Sequence, residues 1–139
     1  MTEGETLRGP FNFSSFLSPN PNLIKALKKI EYPKYCFTNG TESRAKEILE
    51  CLNLTTIFDG VICVDNDSKL DLAKPFDKSY EFVETYFNIQ DTSKIIFFDD
   101  NLFNIESGQQ RGWCCVHVDG DIVEKIEGVY ELIKSEGER

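Results

Sequence analysis

The chain has 139 residues, is 40% hydrophobic and 28% charged, and carries a formal net charge of −9. That length suits one domain burying roughly two thirds of its unfolded surface, and the acidic balance offers no Lys/Arg stripe for nucleic acid. No apolar run approaches the ~20 residues that span a bilayer, so no membrane insertion is expected. MTEGETLRGP lacks the basic-then-apolar pattern of a secretory signal, so the expected location is an intracellular, reducing compartment, the cytoplasm first, with an organelle left open.

Residues 1–19 are rich in Gly, Pro, Ser and Asn and predict an irregular arm, with the core domain over 20–139. Asn20 and Pro21 then cap a helix to about Ile30, with Leu23, Ile24, Leu27 and Ile30 on one face. Tyr35 to Thr38 reads as a short buried strand. Asn39-Gly40 makes the turn, and Thr41 caps a helix whose Ala45, Ile48, Leu49 and Leu52 keep the i, i+3, i+4, i+7 spacing. Val61 to Val64 is a second strand. After a polar loop, Asp77 starts a helix with Tyr80, Val83, Tyr86 and Phe87 inward. Ile95 to Phe98 is a continuous apolar run, as expected for a parallel strand covered on both faces. A helix to about Gln110 follows, then a strand from Trp113 to Val118. The last helix is amphipathic, with Ile122, Ile126, Val129, Tyr130 and Ile133 inward. Alternation of helix and strand predicts an α/β fold with a mainly parallel sheet. Cys36, Cys51, Cys63, Cys114 and Cys115 are odd in number and contain no C-x-x-C, so they are expected to be free buried thiols.

The chemistry gathers at the carboxyl ends of the strands, where open α/β sheets place their sites. Asp99 and Asp100 are adjacent where a buried strand meets a helix. Two ionised carboxylates side by side repel, so a cation, a proton or full solvation must accompany them. Their hard oxygens suit Mg²⁺; a solvated Asp-Asp turn is the alternative. Thr38 offers a hydroxyl, and the Asn39 and Gly40 amides can point at a phosphoryl oxygen near a helix amino terminus, unless the segment is only a capped turn. His117, alternating with valines in a strand, reads as structural.

Taken in order, FTNG at Phe37–Gly40, KP at Lys74-Pro75 and FFDDNLFNIESG at Phe97–Gly108 resemble motifs II, III and IV of the haloacid dehalogenase superfamily. With the IFDGVICVD run between them, they look most like its pyrimidine 5′-nucleotidase branch. The resemblance implies a three-layer Rossmann-like core without the cap domain. It assigns phosphate binding to Thr38, Asn39, Gly40 and Lys74, the last also stabilising charge on a transferred phosphoryl group. Asp99 would be a direct Mg²⁺ ligand. Asp100 would be a second ligand or the partner holding Lys74. Asn104 and Gly108 would support the loop and let its helix pack closely.

One departure stands out. The family's nucleophile motif, D-x-D-x-T/V after the first strand, has no match upstream of Phe37. Asp65-Asn66-Asp67 and Asp119-Gly120-Asp121 imitate it at the wrong places, the second being better explained as a turn and cap. With that usual first, central strand missing, the strands around Phe37 and Phe97 must either pair directly, at ~4.8 Å, or leave a slot about twice as wide. Phe11, Phe13 and Leu17 are candidates to approach it. A slot would drive association with a protein partner or a second copy. Two functional readings follow. One is a non-catalytic interaction subunit or pseudoenzyme, with weak or absent Mg²⁺ binding and a possible nucleotide or phosphate ligand. The other is a Mg²⁺-dependent nucleotide phosphatase whose nucleophile segment lies outside this chain or comes from another.

Overall fold

The computed structural model describes residues 18–63 and 73–137. The expected arm, apart from its last residues, lies outside that range with Phe11, Phe13 and Leu17, as does the Asp65–Asp67 imitation motif. The chain divides into two compact units, Met1–Asn66 and Asp67–Arg139.

In the first unit, α1 (Pro21–Lys29) starts where the Asn20 side chain accepts the Asn22 and Leu23 amides at 3.0 and 3.2 Å. Those amides have no intrahelical partner, so the cap fixes where the helix begins. Ala26 and Leu27 are its buried residues. Strand β1 (Tyr35–Thr38) leads to α2 (Glu42–Cys51), capped by Thr41 Oγ1 on the Arg44 amide at 3.3 Å. Two residues past the end of α2, Asn53 has a left-handed φ of 57°, a conformation that Asn tolerates better than most residues. Strand β2 (Gly60–Cys63) pairs in parallel with β1, Tyr35 opposite Gly60 and Thr38 opposite Cys63. The register is pinned just before both strands, where Asp59 N donates to Lys34 O at 2.6 Å and Lys34 N to Asp59 Oδ2 at 2.7 Å. Leu27, Leu49 and Leu54 are buried in this unit.

The second unit opens with α3 (Asp77–Tyr86) and a 3₁₀ turn (Thr92–Lys94). Strand β3 (Ile96–Asp99), α4 (Leu102–Gln110), β4 (Cys114–His117) and α5 (Ile122–Gly137) follow. Strands β3 and β4 are parallel, with Asp99 opposite His117. Tyr80, Phe97 and Trp113 form the centre of its core. Phe97 meets Tyr80 and Trp113 edge-on, with centroids at 6.0 and 5.6 Å. Such geometry adds ~0.5–1.5 kcal/mol per pair beyond burial.

The expected α/β architecture with parallel pairing is present, as two two-stranded sheets among the described residues, β1 with β2 and β3 with β4. Several side chains differ from expectation. Tyr86 points outward, 70% exposed, and stacks on Phe82. At 3.6 residues per turn, about 100° per step, it lies round the helix from the buried Val83, on the same side as Phe82 four residues earlier. Ile122, in the first turn of α5, is exposed, whereas Ile126 is buried. Of the β3 run only Phe97 is buried; its neighbours are partly covered. All five cysteines are free, but Cys114 is exposed and the other four half-buried. Burial pushes the Cys36 and Cys115 thiols up to about 11, with Cys114 adding to the second, so both stay protonated and unreactive at neutral pH.

Candidate functional site

Asp99 closes β3, and three donors converge on its carboxylate. Lys74 Nζ reaches Oδ2 at 3.0 Å, Asn104 Nδ2 reaches the same oxygen at 3.1 Å, and the Asn101 amide donates to Oδ1 at 2.9 Å. The Lys74 and Asp99 side chains are only 7% and 9% exposed. Burial by itself pushes the Asp99 carboxyl up. The Asn101 amide, the Lys74 charge and the Lys74 and Asn104 bonds outweigh it, so the group sits below the ordinary carboxylate range. Lys74 Nζ also lies 5.5 Å from the Phe97 ring centroid, a cation–π distance.

Asp100 differs from its neighbour. Its side chain is exposed, and its main-chain carbonyl lies 3.0 Å from His117 Nε2. The carboxylate that Lys74 Nζ reaches at 3.0 Å is that of Asp99. Both stand before α4, whose amino terminus is capped by Asn101 Oδ1 on the Phe103 and Asn104 amides at 2.8 and 3.2 Å. The positive end of the helix favours negative charge here.

The donor set fits Mg²⁺ as an incomplete site. A carboxylate offers about four lone-pair positions, and the three donors leave one on Asp99 Oδ1; Asp100 adds exposed oxygens of the hard kind Mg²⁺ selects. No cluster of three or more His, Cys, Asp or Glu able to hold a metal occurs among the described residues.

Three supports hold this arrangement. Ser107 Oγ, on α4, donates to Pro75 O at 2.9 Å, tying the segment beside Lys74 to the helix. Tyr80 OH donates to Asn104 O at 2.7 Å, and Tyr80 is fully buried. Glu84 accepts two bonds from Arg111, at 2.6 and 2.8 Å, and one from Trp113 Nε1 at 2.8 Å. The Arg111 bonds hold Glu84 below the ordinary carboxylate range against the opposing effect of burial, with Trp113 adding to them. Gly108 is required by close approach. A Cβ there would sit 2.8 Å from Cys115 Sγ and 3.3 Å from Phe97 Cδ2.

In the first unit, Thr38, Asn39 and Gly40 lie together at the end of β1. The Gly40 amide, expected to point at a phosphoryl oxygen, is donated instead to Thr38 Oγ1 at 3.0 Å. That bond uses an oxygen lone pair and leaves the hydroxyl proton of Thr38 to donate.

A family model described as hydrolase, haloacid dehalogenase-like hydrolase, matches residues 7–112, well over half of the sequence. The chain belongs to the haloacid dehalogenase-like hydrolases. Among solved structures, this haloacid dehalogenase-like chain is similar to a dehalogenase crystallised with an intermediate complex. The TM-score is 0.63 and the identity 19%, over 73% of this chain and 46% of that one. At that identity the likeness shows the fold, and this chain spans about half the length of the dehalogenase.

The sequence reading names Lys74, Asp99, Asp100, Asn104 and Gly108; in the second unit the first four gather around the β3–α4 junction, and Gly108 lies in the last turn of α4 against Cys115 and Phe97. That reading gives no part to Ser107, Tyr80 or Glu84, and treats His117 as structural. A serine three residues after Asn104 carries no local sign that it will reach Pro75, because that contact joins segments 32 residues apart. Register could have drawn attention to His117, since the last residue of one parallel strand sits beside the last of its neighbour.

Proposed function

We propose that this chain is the metal- and phosphate-binding part of a pyrimidine 5′-nucleotidase-like phosphatase core, inactive by itself, whose nucleophilic aspartate belongs to another polypeptide segment. The buried Lys74–Asp99 bond, braced by Asn104, carries the reading. A lysine held in a dry site against the Asp99 carboxylate is already oriented, so it can stabilise developing phosphoryl charge without reorganising. The surroundings, not lysine's intrinsic geometry, impose that order, because the ammonium is a flexible point charge. Asp100 and the remaining Oδ1 position of Asp99 would hold Mg²⁺, which when bound neutralises phosphoryl oxygens. Thr38 would donate its hydroxyl proton to a phosphoryl oxygen, with Asn39 and Gly40 shaping the turn.

The inactive state of the chain alone rests on the sequence. The first aspartate of these 139 residues is Asp59, after the FTNG segment, so an aspartate that attacks phosphorus from ahead of that segment would come from outside them. A partner or second copy that contributes a strand and an aspartate would complete the core, and the interaction-subunit reading remains as the function of the chain in its absence.

The chain with Mg²⁺ should leave p-nitrophenyl phosphate and pyrimidine monophosphates at the rate of a buffer blank. Calorimetry should find weak Mg²⁺ binding that Asp99→Asn removes. Robust turnover abolished by Asp65→Asn, or tight Mg²⁺ binding indifferent to Asp99→Asn, would overturn the proposal. Light scattering should show self-association, or solubility only with a partner.

A further inference from the structure

The ladder between β3 and β4 ends with Val118 N donating to Asp99 O at 2.9 Å. Beyond it the chain bends away at Asp100. The next carbonyl is met by a side chain: Nε2 of His117, the only histidine in the sequence, lies 3.0 Å from Asp100 O. A carbonyl oxygen can only accept, so this contact requires the proton on Nε2. On the other side of the ring, Nδ1 faces Asp119 Oδ2 at 4.0 Å, and Asp119 Oδ1 lies 3.7 Å from Lys125 Nζ on α5. The ring thus lies between the loop after β4 and the peptide after β3, bonded to the second.

Asp99 is fixed by three donors, whereas the Asp100 side chain is exposed beside it. Like charges on adjacent residues repel, and rotation about the backbone bonds at the Asp100 Cα would relieve the repulsion by re-aiming its carboxylate away from Asp99. The His117 bond opposes that rotation by holding the carbonyl of the same residue.

We propose that His117 is a positioning residue for the metal site, its Nε2–H holding the Asp100 carbonyl and so keeping the Asp100 carboxylate beside Asp99 for a divalent cation. This rests on the reading of Asp100 as a metal ligand. His117 contributes no metal-binding atom; it acts through Asp100. Residues that orient metal ligands in this way typically alter affinity 10- to 100-fold when removed, and a bond to the main chain of the ligand belongs at the lower end.

The full chain, isotopically labelled, tests this by NMR. The ring ¹⁵N spectrum should show an Nε2–H imidazole. Without metal, His117→Ala should shift the Asn101 amide resonance and speed its exchange, and His117→Gln, whose carboxamide can donate to the same carbonyl, should restore both. Titrated with Mg²⁺ alone, His117→Ala should bind about tenfold more weakly than wild type and His117→Gln nearly as well. An Asn101 amide unchanged in His117→Ala, unaltered Mg²⁺ affinity in that variant, or His117→Gln behaving like His117→Ala would each overturn the inference. If the wild-type chain shows no Mg²⁺ response that Asp99→Asn removes, the metal reading fails, and the metal-free comparison alone decides whether His117 positions the peptide. Should His117→Ala not fold, the wild-type ring spectrum decides, because an Nδ1–H imidazole excludes the donated bond.

Discussion

Lys74 and Asp99, 25 residues apart in sequence, meet at 3.0 Å with their side chains 7% and 9% exposed. At that burial each charge has lost most of its water, and attraction between the two offsets a desolvation penalty of several kcal/mol per ion. The pair is therefore costly to break and cheap to replace whole, which gives it a recognisable mutational signature.

Lys74→Met should destabilise the chain by ~3–5 kcal/mol, because it leaves the Asp99 carboxylate buried without its countercharge. Asp99→Asn should also destabilise, because it leaves the buried Lys74 ammonium without a carboxylate and turns an amide NH2 toward the Asn101 amide or toward the Lys74 and Asn104 donors. The double variant should be less destabilised than the sum of the two by ~1–3 kcal/mol. Urea unfolding of the four proteins measures the coupling; strict additivity would mean that the two side chains do not interact in solution.

Stability should fall on acidification. Asp99 and Glu84 both sit below the ordinary carboxylate range in the folded chain, so the unfolded state takes up protons first as pH drops. Their contribution is complete above the unfolded value of ~4 and is lost as pH falls through the lower folded values. Unfolding midpoints between pH 7 and pH 3 should decline mainly below ~4. In a double Asp99→Asn, Glu84→Gln variant that decline should be shallower, and an unchanged slope would show that other groups carry the acid sensitivity.

Gly108→Ala sets two effects against each other. Alanine gains up to ~1 kcal/mol of helix propensity over glycine, but here its Cβ would stand 2.8 Å from Cys115 Sγ, and forcing atoms into a packed core costs ~1–3 kcal/mol. The clash should win, with net destabilisation and loss of Asn104 order at the site. Adding Cys115→Ala should recover part of the loss. Gly128→Ala, where nothing lies within 4 Å, should instead stabilise α5. Thermal unfolding of the three variants reads the difference directly, and stabilisation by Gly108→Ala would refute the packing argument.

The sequence by itself determined the elements and the chemistry at their ends. Asn20 and Thr41 each cap the helix that follows, because a cap acts on amides two or three residues away and needs nothing from the rest of the chain. Apolar spacing located Val83 on the inner face of α3 for the same local reason, and the Asp99–Asp100 pair at a strand end called for a cation, a proton or full solvation. Tertiary structure alone decided which acid holds Lys74, that Glu84 joins Arg111 to Trp113, that Ser107 braces Pro75, and that His117 meets the Asp100 carbonyl. Each of these contacts joins segments 17 to 32 residues apart. Their partners are set by strand register and by the path of the intervening loops. Shifting β4 by one residue against β3 would put Val116 or Val118 opposite Asp99 and turn the facing side chain to the other side of the sheet, and no feature within a single helical turn or strand of this sequence fixes that choice.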